Sequence, residues 1–241
     1  MTDDRYGLYS EIEAMEGWLL KPAAHFTIDV LAWQEEQQIT GGILEIGVYC
    51  GKYFTLLTNS ALRANSSILG IDTFQFHSQQ RVRDELAGVL GVDAGEKPIL
   101  WTMPSVAAST TAIEEVVGKC RFISIDGAHD YDNVFRDLVL AEQLVSFDGL
   151  IAADDFINPV AIGVNQAVNA FLSQPRAVVP VAYTGNKLFL AHRARAELYR
   201  TVMESFLAIG EEPFAQLFRT LRESERHHME QYFHGSRMLV R

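Results

Sequence analysis

The sequence is poor in cysteine, in basic residues and in long apolar segments. Only two cysteines, Cys50 and Cys120, occur among 241 residues, which is too few for a disulfide framework. No run approaches the roughly 18 apolar residues that span a bilayer, and the first residues show no signal-like segment. With 20 basic against 31 acidic residues, the formal charge of −11 argues against nucleic acid or an anionic membrane as the main partner. We therefore expect a cytoplasmic protein that acts on a small molecule.

Internal repeats, low-complexity tracts and long flexible linkers are also missing, which argues against a chain of separate domains. Nearly half of the residues (48%) are apolar, enough for a sizeable core. The central part, residues 41–192, has the patterning of one α/β domain. Residues 8–38 and 194–234 have helical patterning without strand-like runs, so we expect an N-terminal helical cap over residues 1–40 and a C-terminal helical extension over residues 193–241.

The central part alternates short apolar runs with amphipathic ones, which predicts strands that alternate with helices. The predicted strands are 42–47, 67–72, 98–103, 121–126 and 149–154. Such alternation indicates a doubly wound, mostly parallel sheet of Rossmann type, covered by helices on both faces. The runs "AVVPVAYT" and "KLFLAH" are joined by only two residues, Gly185 and Asn186, which predicts an antiparallel hairpin at the edge of the sheet.

Acidic residues stand where the predicted strands end. Asp72, Asp126 and Asp154 each end an apolar run, and Asp155 follows Asp154 directly. Ligands bind beyond the carboxyl ends of the strands in an open parallel sheet, and a buried carboxylate needs solvent, a donor or a cation. A single acid could simply cap a helix, but several in register indicate a binding site.

The loop after the first strand, "EIGVYCG", is not a dinucleotide fingerprint, because Tyr49 and Lys52 stand where G-x-G-x-x-G needs glycine. Gly47 and Gly51 still allow a tight turn and close approach of the backbone to a ligand. Asp72 lies 21 residues beyond Gly51, at the end of the second strand. A carboxylate in this position can accept hydrogen bonds from ribose hydroxyls.

The stretch "GGILEIGVYCGKYFTLL", followed by "ILGIDTF", resembles the start of a class I S-adenosylmethionine-dependent methyltransferase. The hairpin "AVVPVAYTGNKLFLAH" resembles the reversed last strand of that fold, so the likeness covers residues 41–192. It is closest to the small-molecule subgroup that includes macrolide-sugar O-methyltransferases. In that subgroup the fourth strand ends in D-G-x-H-x-Y and the fifth ends in two acids, as at Asp126–Tyr131 and Asp154–Asp155 here.

The resemblance implies a role for each of these positions. The methionine end of S-adenosylmethionine would bind along Glu45, Gly47 and Gly51, and Asp126 would also contact the cofactor. Asp72 would bind its ribose, and Ser105, after the third strand, would lie near the adenine. Asp126, Asp154 and Asp155 match metal-binding acids. His129 matches the catalytic base, and Asp126, on the same turn, is the second predicted catalytic residue.

The three acids favour a hard divalent cation, and Mg²⁺ suits oxygen ligands better than Zn²⁺ does. Successive strand residues point to opposite faces, so the chain must leave strand geometry near Asp155 for both acids to reach one ion. The alternative makes Asp154 a ligand of the cofactor or backbone and Asp155 a helix cap. A divalent cation would stabilise the alkoxide of an acceptor hydroxyl while a base such as His129 removes its proton; otherwise that histidine is structural.

We therefore predict a Mg²⁺-dependent O-methyltransferase that acts on a hydroxyl of a sugar or natural-product scaffold. Two alternatives stay open at this point. One is a metal-independent methyltransferase acting on oxygen or nitrogen, and the other is a non-catalytic binding or assembly protein with the same fold. The aromatic and aliphatic residues of the flanking helices predict either a homo-oligomer interface or a lid over the site.

Overall fold

The computed structural model describes residues 6–91, 98–211, 213–224 and 230–240. Its strands are β1 (Gly42–Ile46), β2 (Ile68–Asp72), β3 (Ile99–Thr102), β4 (Cys120–Ile125), β5 (Val145–Ala153), β6 (Val178–Thr184), β7 (Lys187–His192), β8 (Glu230–Phe233) and β9 (Ser236–Val240). Its α-helices are α1 (Gly7–Ile12), α2 (Lys21–Glu36), α3 (Lys52–Arg63), α4 (Gln79–Leu90), α5 (Thr110–Val117), α6 (Tyr131–Leu144), α7 (Ile162–Leu172), α8 (Ala196–Ile209) and α9 (Pro213–Glu223).

The described strands form one sheet in the order β3-β2-β1-β4-β5-β7-β6-β9-β8. The first five pair in parallel, and β7 pairs antiparallel with both β5 and β6. Each parallel connection contains a helix, as parallel strands require. The α/β fold class and the antiparallel hairpin predicted from the sequence are confirmed.

Apolar side chains cover both faces of this sheet. Neighbouring strand residues alternate between two clusters; in β4, Phe122 belongs to one and Ile123 to the other. The helices α1, α2, α3, α4 and α8 pack on the first face, and α5, α6 and α7 pack on the second. Burial on both faces explains why the central strands read as continuous apolar runs.

The C-terminal part differs from the sequence prediction. Residues 193–241 were expected to form a helical extension, but besides α8 and α9 they contain β8 and β9, a hairpin around the turn residues His234 and Gly235. In β9, Met238 and Leu239 are buried, and the strand pairs in parallel with β6. The prediction that β6 and β7 lie at the sheet edge was therefore wrong, because this long-range pairing adds two strands beyond β6.

Candidate active site

The first glycine loop is positioned by a close contact with the end of β4. Gly47 has φ +87°, and a Cβ atom there would collide with the backbone carbonyl of Asp126. Gly51, also at φ +87°, begins α3 and lies against Val82, 3.0 Å from where its Cβ would stand. Glycine is required at both positions because L-residues rarely adopt this φ. The loop that follows β1 is therefore packed directly against the predicted catalytic turn after β4.

Asp72 fixes the same loop from the end of β2. Its Oδ2 accepts hydrogen bonds from the backbone N–H groups of Val48 at 2.8 Å and Tyr49 at 2.9 Å. Its Oδ1 accepts from Phe74 N–H at 2.7 Å. The carboxylate thus links the carboxyl ends of β1 and β2, a role that the sequence did not indicate.

Glu45 lies inside the sheet beneath this loop and is only 1% exposed. Burial raises the pKa of Glu45 well above its ordinary value, although the nearby Lys187 ammonium opposes the shift. Within the described chain its Oε2 has no hydrogen-bond partner. A buried acceptor without a partner is costly, and it provides a position that a donor group could occupy.

Lys187 lies between two of the three acids predicted to bind metal. Its Nζ is 2.9 Å from Oδ2 of Asp154 and 3.9 Å from Oδ2 of Asp126, and the side chain is 1% exposed. The two carboxyl groups are also close enough to shift each other's pKa. Nothing in the local sequence motif around either acid predicted this lysine, which comes from the start of β7, 33 residues beyond Asp154.

The charges of Asp126, Asp154 and Lys187 shift one another's pKa values. Burial and then the Asp154 charge raise the pKa of Asp126 well above its ordinary value. Burial also opposes ionisation of Asp154, but Lys187 and then Asp126 outweigh it, so its pKa is lowered. Burial likewise favours a neutral Lys187, yet Asp154 and Asp126 raise its pKa above the ordinary value. The stable arrangement is thus an ionised Asp154–Lys187 pair beside an Asp126 that holds its proton more strongly.

Asp155 points away from that pair and contacts His129. Its backbone φ of +57° takes it out of strand geometry, as predicted for this position. Its Oδ2 lies 3.2 Å from Nε2 of His129, and its Oδ1 accepts from Asn158 at 2.9 Å and Asn186 at 3.1 Å. His129 is half exposed, at 48% of its side chain, on the turn before α6. The arrangement is that of a solvent-accessible base held by a carboxylate.

The predicted set of three metal-binding acids is not brought together. Among the residues that the structure describes, the candidate ligand atoms that lie within 4.8 Å of one another here belong to Asp126, His129 and Asp155. Asp154 is held by Lys187 instead, and its Oδ1 has no hydrogen-bond partner in the described chain. The donor set that converges is therefore two carboxylates and an imidazole, with a fixed ammonium beside it.

Ser105 lies at the carboxyl edge after β3, in a short 3₁₀ helix, Ser105–Ala107, and α5 begins only at Thr110. Asp137 of α6 lies near Ser105, is only 2% exposed, and is a residue that sequence reasoning missed. Burial raises the pKa of Asp137 to about 6. An Asp on the buried face of a helix is the signal that could have identified it.

The segment between α1 and α2 covers the outer side of the glycine loop. Lys52 Nζ donates to the carbonyls of Glu13 at 2.9 Å, Met15 at 3.0 Å and Gly17 at 3.2 Å. Tyr49 OH donates to Glu16 at 2.8 Å. Part of the N-terminal cap is therefore fastened to the loop that the sequence predicts to bind the cofactor.

Comparison with known proteins agrees with this geometry. Residues 44–156 match a family model described as a methyltransferase domain. This chain has the fold of the class I S-adenosylmethionine-dependent methyltransferases, and its matched segment is similar to their domain. The matched range begins in β1 and ends just after Asp155, so it includes the glycine loop, Asp72 and the His129 turn. No curated protein matches the chain in sequence.

Solved methyltransferase structures share the fold at low sequence identity. CalS11, described as a TDP-rhamnose 3'-O-methyltransferase of calicheamicin biosynthesis, is 15% identical with a TM-score of 0.55, over 69% of this chain and 78% of its own. The Podospora anserina methyltransferase PaMTH1, bound to SAH, is 14% identical with a TM-score of 0.54, over 80% and 89%. A Bacillus cereus O-methyltransferase in complex with SAH is 15% identical with a TM-score of 0.52, over 77% and 88%. These similarities show the methyltransferase fold.

No helix in the described part of the chain is long and apolar enough to cross a membrane.

Proposed function

We propose that this methyltransferase transfers a methyl group from S-adenosylmethionine to a hydroxyl of a small molecule, with His129 as the base. The observation that carries this proposal is the 3.2 Å contact between His129 Nε2 and Asp155. A carboxylate that holds one ring nitrogen orients the imidazole and leaves the other nitrogen to accept a proton. In this arrangement Nε2–H donates to Asp155 and Nδ1 removes the proton from the acceptor hydroxyl.

The residues at the carboxyl edge fit the cofactor. Gly47 and Gly51 give a loop that a ligand can approach closely, Asp72 offers a carboxylate, and Glu45 Oε2 is a buried acceptor without a partner. When bound, S-adenosylmethionine supplies an electrophilic methyl group on a sulfonium. Ser105 near the adenine and Asp126 near the methionine end complete the proposed cofactor site. The relatives solved with SAH support this assignment.

Large apolar side chains on the loops at this edge, and at the start of α6, support an acceptor with an apolar surface. Trp18, Phe76, Tyr131, Ile157 and Val160 are all at least 42% exposed. Exposed apolar groups that surround polar catalytic residues are typical of small-molecule sites. A hydroxylated natural-product scaffold or a sugar attached to one has this mixed character, and CalS11, a sugar O-methyltransferase, has the same fold.

The predicted Mg²⁺ site of Asp126, Asp154 and Asp155 does not fit the structure, because a buried ammonium already occupies the space between two of these acids. We therefore assign no step of the reaction to a metal ion. A metal-dependent form of the function is the second candidate, and the convergence of Asp126, His129 and Asp155 favours it. In that form the histidine would be a ligand rather than the base.

The proposal extends to the setting of the enzyme. Both cysteines are buried and free, which supports cytoplasmic residence, where thiols stay reduced. We also propose a homo-oligomer whose interface involves the terminal helices. Trp18, Ile209 and Leu217 support this, since each is more than half exposed on these flanking segments.

A methyl-transfer assay against hydroxylated sugars, phenols and macrolides, read by product mass, tests the function. Once an acceptor is found, His129→Ala should lower turnover by about 10²–10⁴-fold, the usual contribution of a positioned base. The affinity for SAH should stay largely unchanged, because Gly47, Gly51 and Asp72 lie on other loops and Asp126 is retained in this variant.

His192→Ala is the matched control, since His192 lies on β7 at the other end of the strand from Lys187. Undiminished turnover in His129→Ala would remove the histidine from the chemistry. Loss of turnover in both histidine variants would indicate a general structural effect instead.

A further inference from the structure

Lys187 is a buried cation among buried acids. It lies outside the segment that matches the methyltransferase family model, and no sequence motif pointed to it. It is 1% exposed, and its Nζ lies 2.9 Å from Asp154 Oδ2 and 3.9 Å from Asp126 Oδ2. The ammonium also lies 4.3 Å from the centre of the Tyr53 ring. Lysine is almost never fully buried unless it is paired, so these contacts account for its position.

The topology of the sheet delivers this lysine to the site. Because β7 runs antiparallel to β5, its first residue lies at the edge where β5 ends. Ala153 pairs with Leu188, which places Lys187 beside Asp154. The preceding turn is docked on the same segment through the Asn186 carbonyl, which accepts from Phe156 N–H at 3.2 Å. The position of Lys187 is thus set by backbone pairing and not by a flexible side chain alone.

The ammonium does for these acids what a divalent ion would do. It gives Asp154 a direct ionic partner and lies close enough to Asp126 to reduce the repulsion between the two carboxyl groups. A divalent cation bound to both acids would stand within a few ångströms of a fixed positive charge, and the burial of Lys187 would strengthen this repulsion. Lysine and metal therefore compete for the same two carboxylates.

We propose that Lys187 is the fixed cation of this site, that it takes the place of a divalent metal ion between Asp126 and Asp154, and that it makes methyl transfer independent of metal. The first part of the proposal is that Lys187 replaces a metal ion between the two acids, and it needs no assumption about the reaction. The second part is that methyl transfer is independent of metal, and it rests on the proposed O-methyl transfer.

Metal affinity of the wild-type chain tests the first part directly. Calorimetric titration with Mn²⁺ and with Mg²⁺ should give weak binding or none. Lys187→Met keeps the length and apolar stem of the side chain but removes its charge, so this variant should bind Mn²⁺ about tenfold or more tightly than the wild type. The double variant Lys187→Met with Asp154→Asn should lose that gain, because it removes the freed carboxylate.

Lys119→Met is the matched control. Lys119 is an exposed lysine that pairs with Glu114 and donates to the Gln143 carbonyl, and it follows α5, away from the acids. This variant should bind Mn²⁺ as weakly as the wild type does. Tight Mn²⁺ binding by the wild type, or equal affinity in the wild type and Lys187→Met, would overturn the proposal. The wild-type titration decides the matter even if Lys187→Met does not fold.

Turnover in excess chelator tests the second part once an acceptor is known. Full activity of the wild type is expected, and loss of activity that Mg²⁺ restores would overturn metal independence. If no acceptor in the panel is methylated, the proposed function fails while the Mn²⁺ titrations still decide the role of Lys187. The two failures are therefore distinguishable.

Discussion

Substitution of Asp72 should disturb both the glycine loop and cofactor binding, and the structure separates the two effects. An ionised carboxylate offers about four acceptor positions. The N–H groups of Val48, Tyr49 and Phe74 occupy three of them. One position on Oδ1 is left for a ribose hydroxyl, whereas the sequence alone led to an expectation that both hydroxyls are bound.

The size of each effect follows from this count. Asp72 is partly exposed, so water can replace the lost acceptor, and each backbone bond is worth about 1 kcal/mol rather than the upper value for charged groups. Asp72→Ala should therefore lower the free energy of unfolding by about 3 kcal/mol. Loss of one hydrogen bond to the cofactor should separately weaken the binding free energy by about 1.5–3 kcal/mol, which lowers the affinity by about 10- to 150-fold.

Denaturant unfolding without ligand measures the first effect, and calorimetry with SAH measures the second. Asp84→Ala is a suitable control, since Asp84 is an exposed acid of α4 whose Oδ1 accepts a hydrogen bond from Gln80 on the same helix. Asp72→Asn should fall between the wild type and Asp72→Ala, because an amide keeps one oxygen acceptor. Unchanged stability in Asp72→Ala would refute the account of the loop, and unchanged SAH affinity would remove Asp72 from the cofactor site.

Two further predictions concern pH and assembly. Because the pKa of Asp137 is about 6 in the folded chain against an ordinary 3.8, the unfolded chain loses this proton first, and stability should fall by about 3 kcal/mol between about pH 4 and pH 6. Asp137→Asn should flatten that part of the stability curve, measured by denaturant unfolding at each pH, and parallel curves would contradict the assignment. Light scattering should find a closed homo-oligomer, and only monomer at every concentration would leave the terminal helices as a cover for the sheet and loop.

The central sheet could be predicted because local patterns determine it. Strands buried on both faces are continuous apolar runs, and amphipathic spacing marks the helices between them. The hairpin of β6 and β7 was visible for the same reason, since two turn residues allow only antiparallel pairing. The strand β9 was missed because its short run, "SRMLV", becomes a strand through pairing with the distant β6.

The sequence identified candidate site residues but not the contacts between them. Motif positions placed Gly47, Gly51 and Asp72 on neighbouring loops, where the structure has them. The ion pair of Lys187 with Asp154 joins residues that are adjacent only because β7 is reversed. A motif at the end of one strand carries no information about the side chain that a neighbouring strand brings to it.

The antiparallel strand β7 and the backbone conformation of Asp155 together determine the contacts of Asp154 and Asp155. In regular strand geometry one of the two successive acids would face each side of the sheet. The φ of +57° at Asp155 instead turns its carboxylate toward His129, and Asn186 of the hairpin turn holds it there at 3.1 Å. The adjacent Lys187 holds Asp154 at 2.9 Å. Asn186 and Lys187, which are consecutive in the hairpin, thus contact two consecutive acids. As a result, Asp155 orients the histidine and Asp154 balances the buried charge of Lys187.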